Sequence, residues 1–248
     1  NFEFSILYAV NFNVRIINAS FLYTVEVSGI DVPAPYNATH AAAISNYGGL
    51  LICSAGNDGN NTDNNPQYPA GYSTHFDNVI AIGSIDSNGN PSTFSNFGAN
   101  SVNLFAPGQG ILSTYPENLC DQGIAVCEAD NSVHFADGYH FNSGTSMATP
   151  HVTGIAALLQ AHNSSLTPIQ IKWIIENSVD KITSLDGLCV TGGTVNAYNA
   201  LRSASTMTRV FNNFGYNGST YYWNGKVDML VSNENAIDSS NPMVFSES

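Results

Sequence analysis

The chain of 248 residues is long enough for one large domain or two small ones with a buried core. Hydrophobic residues make up 43% of it and aromatic residues 11%, which excludes disorder of the whole chain. Lys and Arg number 6 against 19 Asp and Glu, and the resulting net charge of -13 disfavours nucleic acid and anionic membranes as partners. No apolar run approaches the roughly 18 residues of a membrane-spanning helix.

Scarce lysine, four cysteines and five N-x-Ser/Thr sequons favour an extracellular or secretory location. The sequons begin at Asn18, Asn37, Asn60, Asn163 and Asn217. Cys120 and Cys127 flank a short polar loop and are close enough in sequence to pair. Cys53 lies in an apolar run and is predicted to be a buried strand thiol.

The predicted elements of the first half alternate between helices and short apolar strands. Helices are predicted over Phe4–Val10 and Thr39–Tyr47, the second of which ends at a Gly-Gly pair. Strands are predicted at four apolar runs: Val14–Ile17, Leu50–Ser54, Val79–Ile85 and Val102–Ala106. Such alternation is typical of an α/β fold with a largely parallel sheet between two helical layers.

Three further helices are predicted in the second half. The first follows Gly144 and carries apolar or small residues on every side, so we expect it to be central and buried. The second begins after Thr167, which forms a capping box with Gln170 and precedes a proline at the first helical position. The third begins near Asn196, and an Asn- and Ser-rich segment with scattered aromatic residues follows Arg202.

The segment Asn142–Gly154 carries the chemistry, because it places Ser146 in the first turn of a buried helix. There, unpaired backbone N–H groups favour negative charge developing on a nearby carbonyl oxygen. Gly144 allows close approach of a substrate backbone. A lone Gly-Thr-Ser tripeptide is more often a helix cap, but the whole segment closely resembles the nucleophile motif of the subtilisin-like serine proteases.

The resemblance continues along residues 1 to 202 in the order found in that family. The matching segments are Ser54–Gly59, Tyr68–Pro69, Val79–Gly98, Ala106–Gly108 and Gly192–Tyr198. It implies a subtilisin-like peptidase domain over 1–202, with 203–248 as a tail or the start of an appended β module. It also implies a serine endopeptidase that acts on polypeptides and requires no cofactor.

The same resemblance assigns roles to residues at the expected cleft. Ser146 is the nucleophile, Asn57 is the amide donor of the oxyanion hole, and Gly144 and Thr145 line the substrate site. One wall of the specificity pocket is Ser54-Ala55-Gly56, which is expected to pair with the substrate backbone. The opposite wall is Ser20-Phe21, followed by Leu22 where the family favours glycine.

The catalytic Asp and His of the family are missing from residues 1 to 56, which contain neither an Asp-Thr-Gly-like nor a His-Gly-Thr-His-like segment. His40 matches an intervening helix and is expected on its surface, and His151 is expected to point away from the Ser146 hydroxyl. Without a base the serine is a poor nucleophile. The chain alone is therefore expected to be almost inert, and its catalytic domain to be N-terminally incomplete, with the missing part as a partner.

Two alternatives remain open at this point. One is a degenerate subtilase homologue that acts as a protein-binding or scaffold module. The other is a calcium-stabilised structural module, suggested by Asp58, Asp63, Asp77 and Asp86, although no Asp-x-Asp ligand spacing supports a metal site.

Overall fold

A computed structural model describes residues 2–114 and 139–213 of the chain. The helices are α1 (Phe2–Asn11), α2 (Ala38–Asn46), α3 (Thr145–His162), α4 (Pro168–Asn177) and α5 (Ala197–Asn213). The strands of the first half are β1 (Ile16–Ala19), β2 (Thr24–Val27), β3 (Ile30–Pro33), β4 (Leu50–Ser54) and β5 (Val79–Ile85). Later strands are β6 (Leu104–Pro107), β7 (Ile111–Thr114), β8 (Tyr139–Asn142), β9 (Asp180–Lys181) and β10 (Gly193–Thr194). Short 3₁₀ turns cover Ala70–Thr74 and Thr183–Leu185.

The central sheet has six strands in the order β1-β4-β5-β6-β10-β9, and every pair is parallel except β10 with β9. Strands β4 and β5 are buried at every position, because helices cover both faces of the sheet. Alternate residues of β4 face opposite layers: Leu51 and Cys53 pack with α1 and α2, so Leu50 and Ile52 face α3 and α4. The expected three-layer α/β fold is confirmed.

The helix α3 crosses the sheet and contacts β1, β4, β5 and β6. Its buried residues recur at the spacing of one helical face, from Thr145 to Leu159. The expectation of burial on every side is wrong, because His151, Gly154 and Leu158 are exposed. The outer face of α3 also carries small and apolar residues, so the sequence pattern does not reveal that only one face is buried.

Local sequence signals predicted the start of α4 correctly. The capping box of α4 is present: Gln170 N–H donates to Thr167 Oγ1 over 3.2 Å, and Thr167 N–H donates to Gln170 Oε1 over 2.8 Å. The helix α5 runs through Arg202 to Asn213, so one helix crosses the predicted domain boundary. The division at 202 stays a prediction.

The hairpin of β2 and β3 has no counterpart in the predicted elements. Its strands pair antiparallel, with Val25 opposite Val32 and Val27 opposite Ile30. Ser28 and Gly29 form its two-residue turn with φ of 55° and 82°. A two-residue turn ending in glycine between alternating apolar and polar residues favours such a hairpin.

The described helices include none that is long and apolar enough to cross a membrane. Across 2–114 and 139–213, no three His, Cys, Asp or Glu side chains come together as a metal site. Asp63 accepts hydrogen bonds from Asn100 and Ser101, and Asp86 accepts them from the N–H groups of Asn88 and Asn90. These two carboxylates therefore organise loops.

Candidate active site

Ser146 lies in the first turn of α3, beside the residue that follows β1. Its Oγ donates to the Ser20 carbonyl over 3.3 Å, and Ser20 Oγ donates to the Ser146 carbonyl over 2.9 Å. Asn18 Nδ2 in turn donates to Ser20 Oγ over 2.9 Å. Because β1 is parallel to β4, the carboxyl ends of both strands point to this end of α3, where ligands of open α/β sheets bind.

Asn57 follows β4 and is held by the first residue of α3. Its Oδ1 accepts from Thr145 N–H over 2.8 Å and from Thr145 Oγ1 over 2.9 Å. The orientation of the amide is settled, because a backbone N–H donates only to the oxygen end of the side chain. Gly56 N–H donates to the same Thr145 hydroxyl over 3.2 Å. The amide NH2 of Asn57 is thereby left at the exposed side of the loop.

Two hydrogen-bond donors near the start of α3 have no acceptor among the described residues. The first is Asn57 Nδ2, which has no acceptor among the described residues. The second is Ser146 N–H, which lies in the first turn of the helix, where N–H groups have no intrahelical partner. A carbonyl oxygen within reach of both donors would gain two hydrogen bonds and the field of the helix N-terminus as negative charge develops on it.

Gly144 borders this position. A Cβ added to it would lie 3.5 Å from Asn57 Nδ2 and 3.6 Å from Met147 Sδ, which are ordinary contact distances. Packing within the described residues thus leaves room for a side chain. Such a side chain would instead cover the approach to the Asn57 amide.

No histidine of the described residues reaches Ser146 Oγ. His151 Nδ1 donates to the Met147 carbonyl over 2.9 Å, and the residue is exposed rather than packed. His40 was expected on a helix surface, but its side chain is only 15% exposed; it packs against Phe2 and Tyr23 and lies 3.3 Å from Glu3. His134 lies outside the described residues.

The other histidines are occupied elsewhere. His75 Nδ1 lies 2.9 Å from Thr74 Oγ1, and His162 Nε2 lies 3.0 Å from Ser205 Oγ. His140 lies on β8. Within the described residues, Ser146 Oγ therefore has the Ser20 carbonyl as its hydrogen-bond partner and no histidine within reach.

The two predicted walls of the cleft differ in solvent exposure. Ser20 contacts Ser146, and Phe21 is exposed, with edge contacts to Phe2 and Tyr23. Ser54 and Ala55 are buried. Leu22 is half-buried.

The expectation that Ser54-Ala55-Gly56 pairs with a substrate backbone disagrees with the geometry. Ala55 N–H donates to the Ile82 carbonyl, and the Ala55 carbonyl accepts from Asn96 Nδ2. Gly56 N–H donates to Thr145, and the Gly56 carbonyl accepts from Asn96 N–H. The backbone donors of Ala55 and Gly56 are thus used inside the protein, and a wall formed by them would offer contact surface alone.

Sequence reasoning missed Asn96 and Gln67, which form hydrogen bonds with the residues on either side of Asn57. Asn96 Nδ2 donates to Gln67 Oε1 over 2.8 Å, and Gln67 Nε2 donates to Asp58 Oδ2 over 2.6 Å. The only available signal was the polar residue within the Phe94–Gly98 segment, whose partners are far away in sequence.

Cys53 is buried as predicted, and burial raises the pKa of its thiol well above the usual range. Cys189 is also a buried free thiol. Cys120 and Cys127, and any bond between them, lie outside the described residues.

Comparison with known proteins gives the family. The family model described as "Subtilase family" matches residues 3–216. Thermitase of Thermoactinomyces vulgaris is 37% identical over 197 residues, which are 79% of this chain and 57% of thermitase. The thermophilic serine proteinase of Bacillus sp. (strain AK1) is 32% identical over 197 residues, which are 79% of this chain and 40% of that protein.

Solved structures agree with the fold. The prenylagaramide maturation protease PagA has a TM-score of 0.61 at 27% identity, covering 82% of this chain and 66% of that one. The patellamide maturation protease PatA has a TM-score of 0.60 at 25% identity, covering 82% of this chain and 68% of that one. The chain spans between 40% and 57% of the length of the two curated relatives named above. Since the family model accounts for most of the chain and the parallel sheet places Ser146 and Asn57 together, the chain belongs to the subtilase family.

Proposed function

We propose that this chain is the nucleophile-bearing part of a serine endopeptidase. Ser146 Oγ attacks the carbonyl carbon of a peptide bond, and Asn57 Nδ2 and Ser146 N–H hold the oxyanion that forms. The amine leaves with a proton, and water then hydrolyses the acyl-enzyme. The observation that carries the proposal is the double hydrogen bond from Thr145 to Asn57 Oδ1, which fixes the amide at the start of α3 and leaves its NH2 free to donate to a substrate.

The base that this mechanism requires comes, in our proposal, from polypeptide outside the described residues. The Ser146 hydroxyl now donates to a carbonyl, which cannot take its proton. Removing triad residues from a subtilisin lowers turnover by roughly 10⁴ to 10⁶, a magnitude known for that enzyme that we adopt for the present chain. Without the base, the chain is expected to be nearly inactive.

The open edge of the central sheet is where this polypeptide would bind. In the described part of the chain, β1 pairs with β4 on one side only. A further parallel strand beside β1 would end at the same edge of the sheet as Ser20, next to Ser146. The residues that follow such a strand would therefore lie close to Ser146.

An apolar surface beside β1 supports this location. A groove of about 350 Å³ lies between α1, β1 and the rings of Phe21 and Tyr23. On α1 and just after it, Phe4 is 69% exposed and Phe12 is 64% exposed. Exposed apolar area of this kind marks an interaction surface.

Kinetics of the protein with its base-supplying segment present test the proposal. Ser146→Ala is expected to abolish hydrolysis of a peptide substrate. Asn57→Ala is expected to lower kcat with little change in KM, by the roughly 10² to 10³ measured for the oxyanion-hole asparagine of a subtilisin. Leu158→Ala, at an exposed position of the same helix, is the control and is expected to keep most of the activity. Hydrolysis that survives Ser146→Ala would refute the proposed role.

A degenerate, non-catalytic binding module is the second candidate. It is favoured by one observation, the absence of a histidine near Ser146 Oγ within the described residues. It predicts that a protein or peptide ligand binds with unchanged affinity after Ser146→Ala, and that no longer form of the protein hydrolyses peptides. Peptide hydrolysis that depends on Ser146 would exclude it.

An extracellular or secretory location remains part of the proposal. Its support is the scarcity of lysine and the cysteine content, because the sequons give little. Asn37 Oδ1 caps α2, and Asn163 Oδ1 accepts two hydrogen bonds from Ser165, so these two side chains have structural roles. Polypeptide substrates, the absence of a cofactor requirement and the lack of nucleic-acid or membrane partners likewise stay predictions.

A further inference from the structure

Asn96 is a buried amide that holds the backbone on both sides of Asn57. It is 0% exposed and lies in the loop after β5. Its Oδ1 accepts from Asp58 N–H over 3.0 Å and from Asn60 N–H over 2.9 Å. Its Nδ2 donates to the Ala55 carbonyl over 2.9 Å. One side chain thus bridges residues before and after Asn57.

The backbone of Asn96 adds a further bond to the same loop. Its N–H donates to the Gly56 carbonyl over 3.0 Å. The contact is close, since a Cβ on Gly56 would lie 2.3 Å from Asn96 Nδ2. Gly56 also has a φ of 106°, a conformation that favours glycine. A larger residue at position 56 would therefore push this loop off Asn96.

We propose that Asn96 is a positioning residue of the peptidase site, which fixes the Asn57 loop so that Asn57 Nδ2 points to the oxyanion. Thr145 of α3 donates to the Asn57 side chain, while the Asn96 side chain is hydrogen-bonded to the backbone of Asp58 and Ala55. Asn96 does not touch a substrate in this scheme and acts only through Asn57. The inference rests on the proposed function, because it assumes that Asn57 stabilises an oxyanion.

The effect of losing Asn96 follows from geometry. Without its side chain, Asp58 N–H, Asn60 N–H and the Ala55 carbonyl lose their partners, and the loop gains freedom to move. A displacement of about 1 Å in a catalytic group lowers turnover by about 10²-fold. Because binding of substrate elsewhere is untouched, the loss falls on kcat and spares KM.

A double-mutant cycle with Asn57 tests this. In the protein with its base-supplying segment, Asn96→Ala is expected to lower kcat by about 10- to 100-fold, with KM changed by less than about threefold. In the Asn57→Ala background, the same change is expected to lower kcat by less than about threefold, because the group it positions is gone. Equal losses in both backgrounds, or no loss in the first, would overturn the proposal.

Asn103 supplies the matched control. It is also a buried asparagine with two hydrogen bonds, from Ala81 N–H to its Oδ1 and from its Nδ2 to Glu176, but it precedes β6 at the opposite end of the sheet. Asn103→Ala is expected to lower the unfolding temperature without changing kcat of the folded enzyme. A kcat loss equal to that of Asn96→Ala would show a general effect of packing.

A second readout does not depend on catalysis. In the 248-residue chain labelled with 15N-asparagine, the side-chain NH2 signals of Asn57 are assigned by their loss in Asn57→Ala. They are expected to shift and broaden in Asn96→Ala, or in the smaller change Asn96→Ser, but not in Asn103→Ala. Unchanged Asn57 signals in a folded Asn96 variant would overturn the positioning role, whereas failure of Ser146→Ala to abolish hydrolysis would overturn the proposed function alone.

The unsubstituted chain gives a third check, which is independent of how well the variants fold. Asp58 and Asn60 are exposed loop residues whose N–H groups donate to the buried Asn96 Oδ1. Their amide hydrogens are expected to exchange with solvent at least about tenfold more slowly than that of Asn88, whose N–H donates to the exposed Asp86 carboxylate. Exchange of Asp58 and Asn60 as fast as that of Asn88 would contradict the proposal.

Discussion

Replacing Thr145 by valine tests the link between α3 and the Asn57 loop. Valine has nearly the shape of threonine, so the change opens no cavity and removes only the hydroxyl. That hydroxyl donates to Asn57 Oδ1 over 2.9 Å and accepts from Gly56 N–H over 3.2 Å. Thr145 is 0% exposed, so water cannot replace the lost acceptor.

The expected cost of Thr145→Val has two parts. The buried Gly56 N–H is left unpaired, which costs about 1–3 kcal/mol. Asn57 Oδ1 keeps its bond from Thr145 N–H and is accessible to water, so losing the bond from the Thr145 hydroxyl adds only about 0.5 kcal/mol. The free energy of unfolding is therefore expected to fall by about 1.5–3.5 kcal/mol, measured by urea denaturation with circular dichroism at pH 7.

Thr149→Val is the matched control for this prediction. Thr149 lies one turn further along α3, is also 0% exposed, and donates to the Thr145 carbonyl over 2.8 Å. Its replacement leaves no donor without a partner, so a loss of less than about 1 kcal/mol is expected. Equal losses for the two variants would refute the idea that the Thr145 hydroxyl stabilises the Asn57 loop by its hydrogen bonds with Gly56 and Asn57.

Two further predictions concern stability away from the cleft. Burial alone would raise the pKa of Asp63, but hydrogen bonds from Ser101 and Asn100 outweigh it and hold the pKa below its ordinary 3.8. The stabilisation is present above that value and is lost as the pH falls through the lower folded pKa. Asp63→Asn is thus expected to destabilise the fold at pH 7 by no more than about 1 kcal/mol, because the carboxylate is exposed, and the difference should shrink in urea titrations as the pH is lowered below 3.8. Thr167→Ala removes the capping box with Gln170 and is expected to lower the unfolding free energy by about 1 kcal/mol, whereas an unchanged midpoint of denaturation would show that α4 is set by packing alone.

The elements that sequence predicted well are those that local patterns determine. The strands β4 and β5 are continuous apolar runs, and they are buried on both faces of a parallel sheet. The start of α4 follows from Thr167 and Gln170, which satisfy each other within one turn. By contrast, β9 and β10 have two residues each, too few for any periodicity.

The candidate site divides in the same way. Ser146 and Asn57 were predicted because each lies in a contiguous motif. The hydrogen bonds from Thr145 to Asn57 join residues 88 positions apart, and the bond from Asp58 N–H to Asn96 Oδ1 joins residues 38 positions apart. Such contacts depend on how β4, β5 and α3 meet, which no local pattern records. The prediction that Ala55 and Gly56 pair with a substrate backbone disagrees with the structure for the same reason, because their backbone groups form hydrogen bonds within the protein.

We propose that Ser146 is a nucleophile with Asn57 as oxyanion donor, and that its base comes from polypeptide outside the described residues. The most direct test is the rate at which a fluorophosphonate labels Ser146, located by mass spectrometry, in this chain alone and in the protein with its base-supplying segment. We expect labelling of the chain alone to be slower by at least about 10³-fold, and labelling of both forms to be lost in Ser146→Ala. Equal labelling rates with and without that segment would contradict the account.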